Sequence, residues 1–150
     1  MQVRKGTIQD LSSCAKFSER FWSQLDFSEK IPFRVADVLD MFTLCHSQGL
    51  VAVAENQGRL IGVIAGLSSP CIGNFNFRFG AELIWYVDKE YRKTGAGIEL
   101  LKQIETQAKE AGLVRWSMVS FDQHNPEAVG AVLESQGYTS TERVFAKVIT

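Results

Sequence analysis

Histidine, cysteine and proline are all scarce in this chain: two, three and three among 150 residues. Cys14, Cys45 and Cys71 are odd in number and far apart, a poor disulfide framework that matches no zinc-ligand spacing. They read as free thiols in a reducing compartment. His46 and His124 are too few to build a metal site unaided, and Cys45 and His46, adjacent on a helix, point in different directions. No metal is expected. Nor is there a surplus of charge: 16 Lys and Arg stand against 17 Asp and Glu, a net charge of −1. That balance supplies no basic stripe for nucleic acid and no lysine-rich amphipathic face for a membrane surface. The longest uncharged run, residues 60–77, is broken by Gly62, Gly66, Pro70 and Gly73, so it reads as strand and loop instead of a bilayer span. The first residues enter a strand-like segment without an apolar signal region, and the expected location is the cytoplasm.

What is present is ordinary globular composition, with 45% hydrophobic and 22% charged residues. No repeat or Pro/Ser-rich linker divides the chain, so residues 1–150 read as one domain, of a size that buries about 68–70% of its unfolded surface. Residues 3–5 suggest a short strand. Thr7 and Asp10 resemble a capping box ahead of Ile8, Leu11, Ala15 and Phe17 at helical spacing. After Pro32, Val35, Val38, Leu39, Phe42 and Cys45 make a second helical face. An aromatic-rich connector carrying Trp22, Phe27 and Phe33 lies between the two. Residues 50–54 and 60–67 are β-rich and joined by Asn56-Gln57-Gly58, a hairpin turn; 68–80 reads as a loop or irregular hairpin, and 81–87 as a central strand.

A turn follows, then a helix in which Ile98, Leu101, Ile104, Ala108 and Ala111 share a face and Gly112 ends it. Val114, Trp116 and Met118 alternate as a fifth strand. Asn125-Pro126 opens a short helix as N-cap and first helical residue, Gly137 closes it, and residues 144–149 read as a last strand. The order is β-α-α-β-β-β-α-β-α-β, a mixed α/β chain.

The segment from Trp85 to Ile98 is strand, glycine-bearing loop and helix start. A helix N-terminus offers unsatisfied N–H groups and about half a positive charge, suited to phosphate oxygens. Gly95 and Gly97 allow close backbone approach, and Arg92 and Lys93 add mobile cationic charge; a tight turn with solvated basic side chains is the plainer alternative. Two phosphate motifs fail. A dinucleotide fingerprint needs glycine where Leu100 stands, and a Walker A loop needs Lys after Gly97, where Ile98 stands.

Arg92-x-x-Gly95-x-Gly97 after the fourth strand, within this element order, resembles the GCN5-related N-acetyltransferase (GNAT) superfamily. The resemblance covers essentially the whole chain. The Glu82–Val87 strand and the 143–147 segment also look like small phage-type acetyltransferases. The resemblance implies a GNAT fold, acetyl-CoA as co-substrate and direct acetyl transfer to a primary amine on a small molecule or peptide. Its pyrophosphate would lie on Arg92, Lys93, Thr94, Gly95, Ala96, Gly97 and Ile98. Its pantetheine would run beside Trp85, Tyr86 and Val87, and Asn125 opens the family's fourth-helix motif. Glu82 aligns with the strand glutamate that serves histone-type members as general base; a structural acid ion-paired to Arg78 is the alternative. Where many relatives carry a tyrosine as acid to the CoA thiolate, this chain has Leu133. Homodimers occur among such relatives. A non-catalytic CoA-binding or interaction module with the same fold is the rival reading.

Overall fold

The computed structural model describes residues 1–121 and 125–149, so His124 lies outside the described residues. The chain divides into two compact units, Met1–Val119 and Ser120–Thr150. The first contains β1 (Gln2–Lys5), a 3-10 turn (Ile8–Asp10), α1 (Leu11–Trp22), α2 (Val35–Ser47), β2 (Val51–Asn56), β3 (Arg59–Cys71), β4 (Asn74–Val87), a second 3-10 turn (Lys89–Tyr91), α3 (Ala96–Glu110) and β5 (Arg115–Ser117). The second contains α4 (Pro126–Ser135).

The strands form one mixed sheet in the order β1-β2-β3-β4-β5, antiparallel except for the β4–β5 pair, which is parallel. This is the expected mixed α/β class. Helices α1 and α2 pack together over one face and α3 packs on β1 to β4. The period-2 pattern of the strands explains the two layers. Val51 and Val53 of β2, Val63 and Ala65 of β3, and Ile84 and Tyr86 of β4 join one buried cluster with Leu11, Cys14 and Phe17 of α1 and Phe42 and Cys45 of α2. Leu100, Leu101 and Ile104 of α3 are fully buried as well, each side chain contributing about 1.5–3 kcal/mol by its removal from water.

The capping box forms, with the Thr7 N–H donating to Asp10 Oδ2 at 2.7 Å, but its first turn is 3-10 and the α-helix proper starts at Leu11. Asp10 also accepts from Arg4 Nη1 at 2.7 Å, and Arg4 Nη2 reaches Glu55 at 2.9 Å, tying β1, α1 and β2 together. The Arg4 guanidinium holds the Asp10 carboxyl down at about 2. The hairpin turn is as expected: Gln57 (φ 51°) and Gly58 (φ 75°) both take positive φ, the requirement of the tight turn that follows strand twist.

Three segments refine or correct the sequence reading. Residues 68–80, expected as a loop or an irregular hairpin, form the hairpin: β3 runs on to Cys71 and β4 begins at Asn74, making a two-stranded ribbon with a register shift at Pro70/Cys71. The alternation Asn74-Phe75-Asn76-Phe77-Arg78-Phe79 was a strand signal hidden beneath Gly73 and Pro70. Pairing with β2 stops at Ala65 and pairing with β5 starts at Phe79, so the ribbon extends beyond its neighbours with Ile72, Phe75 and Phe77 exposed. The fifth strand spans three residues. Residues 144–149, expected as a strand, join no ladder among the described residues; β propensity expresses fit to a pleated neighbour, and no such neighbour is supplied. No described helix is long and apolar enough to cross a membrane.

Gly66 marks a close approach. The register slips between Ala65 and Gly66, which pair with Ile84 and Glu82, so Leu83 is the extra residue of a bulge in β4. A Cβ on Gly66 would strike the Ala81 carbonyl and sit 2.5 Å from the Trp116 ring. Gly66→Ala is therefore expected to lower unfolding free energy by about 1–3 kcal/mol, the usual cost of overpacking, measured by urea denaturation.

Candidate active site

The sheet opens beside β4. Its pairing with β5 covers Phe79, Gly80 and Ala81 only, against Arg115, Trp116 and Ser117. From Glu82 to Val87, β4 has no strand on that side among the described residues. Glu82 stands at the fork, at 7% exposure, and its Oε2 accepts the Val119 N–H at 3.0 Å. A backbone donor that would otherwise seek a ladder partner is thus satisfied by a side chain.

Burial pushes the Glu82 carboxyl up to about 7, the Val119 N–H pulling weakly the other way. The alternative of an ion pair with Arg78 does not form: Arg78 donates instead to Ser68, from Nε to Oγ at 3.2 Å and from Nη2 to the carbonyl at 3.1 Å. A buried carboxyl raised to about 7 can take up and release a proton near neutral pH.

Five residues on, β4 ends against the glycine loop. Gly95 has φ 84° and is the N-cap of α3. Its left-handed conformation turns the chain so that the N–H groups of Ala96, Gly97 and Ile98 precede the first intrahelical bond, Glu99 N–H to Gly95 O at 3.1 Å. A Cβ at Gly95 would meet nothing within 4 Å, so this side of the loop is open. Thr94 closes the turn by donating from Oγ1 to Tyr91 O at 2.6 Å, and Lys93 is exposed.

Two residues of the motif do something other than expected. Gly97 gives close approach to the indole of Trp85, whose ring would lie 3.3 Å from a Cβ there and whose Nε1–H donates to Gly97 O at 3.2 Å. Arg92 is not a mobile cation: Nε donates to Val87 O at 3.0 Å and its guanidinium lies 5.7 Å from the Tyr86 ring centre. The structure therefore brings Trp85, Tyr86, Val87, Arg92 and the 93–98 turn into one connected corner, with Glu82 farther along the same strand. Arg20 and Asp88, which sequence reasoning passed over, also meet in this corner at 2.7 Å; an isolated acid after a strand carries no sequence signal for that. Asn125, in the second unit, caps α4 at φ 51° by accepting the Ala128 N–H at 3.4 Å.

The thiols offer no reactive alternative in the core. Burial pushes Cys14 up to about 12 and Cys45 up to about 11. Among the described residues no three His, Cys, Asp or Glu side chains cluster as metal ligands. Hollows of about 250 and 310 Å³ lie elsewhere, one beside Met1, Glu99 and Lys102 and the other beside His46, Gln48 and Glu110. The fork and loop are distinguished instead by the unpaired first N–H groups of α3 and by Glu82.

The family model described as the acetyltransferase (GNAT) family matches residues 12–138. The chain belongs to the GNAT acetyltransferase family. Among curated proteins, no sequence match is found. Solved structures similar to this GNAT chain include an acetyltransferase from Trypanosoma brucei, at TM-score 0.71 and 18% identity over 99% of both chains. A predicted acetyltransferase from Clostridium acetobutylicum, crystallised with acetyl-CoA, gives 0.69 and 18% over 98% of this chain and 95% of its own. The aminoglycoside antibiotic 6′-N-acetyltransferase of Acinetobacter haemolyticus gives 0.69 and 17% over 100% of both. At these identities the likenesses establish the GNAT fold.

The buried carboxyl sets a pH dependence. The folded chain holds the Glu82 proton up to about 7, whereas the ordinary value is 4.5. The folded state thus binds more protons between those values. Its contribution to stability is intact below about pH 4.5 and declines as pH rises through 7, by up to about 1.4 kcal/mol per pH unit. Urea unfolding of wild type and Glu82→Gln at pH 5 and pH 8 should show this decline only in the wild type.

Proposed function

We propose that this GNAT chain is an N-acetyltransferase that moves the acetyl group of acetyl-CoA directly to a primary amine on a small molecule or peptide. The observation that carries the reading is the pairing of an open α3 N-terminus at Gly95 with a near-neutral buried Glu82 on the adjoining strand. Bound acetyl-CoA would supply an activated thioester carbonyl. The residues fit such a group: the N–H groups of Ala96, Gly97 and Ile98 suit diphosphate oxygens, with Lys93 and Thr94 at the turn's exposed side. The edge of β4 from Trp85 to Val87, apart from the Val87 carbonyl that Arg92 holds, offers backbone groups to an extended pantetheine arm as an added strand would. One backbone donor aimed at a developing oxyanion is typically worth about 2.7–4 kcal/mol.

Glu82 acts on the acceptor. An ammonium group cannot attack, so its proton must leave; Glu82 takes that proton, directly or through one water, and its raised pKa lets it do so near neutral pH. Leu133 has no proton to give, and none is required from it, because a thiol of pKa about 8.5 departs tolerably as thiolate. Leu133 also favours a second reading, a CoA-binding module without turnover. The acceptor is sought among amines, with neither nucleic acid nor membrane surface as partner; the aromatic connector between α1 and α2 and the β3–β4 ribbon are the segments proposed to select it. Within the connector, Trp22 meets Phe27 and Phe33 edge-on at 5.2 and 6.0 Å. A cytoplasmic location and a homodimer complete the proposal.

Release of free CoA thiol from acetyl-CoA across a panel of amines tests it. Turnover with at least one amine is expected, and Glu82→Gln should lower kcat by about 10²–10⁴-fold and abolish the acid limb of the pH–rate profile near 7. Tight CoA binding with no thiol release for any amine would instead establish the binding module, and an acetyl group trapped on cysteine would overturn direct transfer.

A further inference from the structure

The turn joining β4 to the glycine loop holds a buried carboxylate with no role in the reading above. Asp88 follows Val87 directly and is 9% exposed. Arg20 Nη1, from α1, donates to Oδ1 at 2.7 Å, and Arg59 Nη2, from the start of β3, donates to Oδ2 at 3.3 Å. The Asp88 N–H donates to Ile61 O and its carbonyl accepts the Tyr91 N–H, both at 2.8 Å. Two elements remote in sequence therefore grip this residue at both carboxylate oxygens, while its backbone fixes the 3-10 turn that leads to Arg92 and Gly95. A parallel set of contacts supports the neighbouring residues. Arg20 lies 5.8 Å from the Phe17 ring centre, Phe17 stacks on Tyr86 at 5.4 Å, and Arg92 covers Tyr86.

Stability alone does not account for the arrangement. Arg20 and Arg59 are 55% and 64% exposed, and ion pairs with exposed partners contribute little to folding. Electrostatics alone is also a poor account, because a carboxylate is the wrong charge to place beside a loop meant for an anion. What the cluster does supply is a fixed take-off point for the loop.

We propose that Asp88, clamped by Arg20 and Arg59, is a positioning residue that sets the 92–98 loop in register to receive the diphosphate of CoA. The assignment rests on the donor-loop reading above. Charge and geometry make opposite predictions for its removal. Asp88→Asn leaves two arginines uncompensated, so if only the local field mattered, CoA would bind more tightly. If the clamp positions the loop, CoA binds more weakly, since backbone donors moved out of hydrogen-bond distance of the diphosphate no longer hold it.

The test is calorimetric titration of the full chain with CoA and, separately, with pantetheine, which lacks the diphosphate, alongside thermal unfolding. Asp88→Asn is expected to weaken CoA about tenfold or more and leave pantetheine unchanged. Asp88→Glu, which keeps the charge and shifts its position, should weaken CoA in the same selective way. Should both Asp88 variants fail to fold, Arg20→Lys at its exposed position keeps the charge, loses the fork geometry, and should show a smaller selective loss. Tighter or unchanged CoA binding overturns the proposal, as does an equal loss for CoA and pantetheine. A wild-type protein that binds CoA no better than pantetheine overturns the donor-loop reading itself, and that result is visible before any variant is made.

Discussion

Strands β4 and β5 keep company for three residues and then separate, and the rest of the site follows from that short pairing. A longer β5 ladder would have consumed those backbone donors and acceptors of β4 between Glu82 and Val87 that point away from β3. Because the partner leaves early, that edge has no strand beside it among the described residues, from a buried carboxyl at the fork to a glycine loop beyond Val87, and Arg92 takes up the Val87 carbonyl. The bulge at Leu83 and the cap that Glu82 places on the Val119 N–H are the local adjustments that let the sheet divide without stranding a buried polar group.

The fork also explains why one glutamate is costly to ionise. Burial penalises its charged form, and the single backbone donor at Val119 offsets only part of that penalty. A stronger partner, such as the Arg78 side chain that lies a few residues away in sequence, would have lowered the pKa and left an inert ion pair. Arg78 is occupied by Ser68 in the ribbon, so the carboxyl keeps its raised pKa. Asp10 shows the opposite outcome: gripped by Arg4, it stays ionised and serves architecture.

Much of this was legible in the residues. The helical periodicity of α3, the Asn56-Gln57-Gly58 hairpin and the Arg92-x-x-Gly95-x-Gly97 loop each carry local information, and each appears where expected. What was not legible depends on partners remote in sequence. Residues 144–149 have strand chemistry but no ladder to join, whereas 74–79 have a ladder through β3 that glycine and proline disguised. The motif glycine at 97 answers to Trp85 across the turn, and Arg92 answers to Val87 and Tyr86; spacing gives residue types but not which neighbour claims them. Asp88 is the clearest case, since its two arginines lie 68 and 29 positions away.

The contact between Trp85 and Gly97 has a practical corollary. The chain has three tryptophans, and they occupy separate surroundings: Trp22 donates to Ile31 O beside its aromatic neighbours, Trp116 donates to the Met118 sulfur at 3.1 Å, and Trp85 donates to the opening turn of α3. Of the three, the last alone touches the N-terminus of α3. Its emission therefore reports on the conformation of that turn, readable once Trp22 and Trp116 are replaced by phenylalanine, with no label attached.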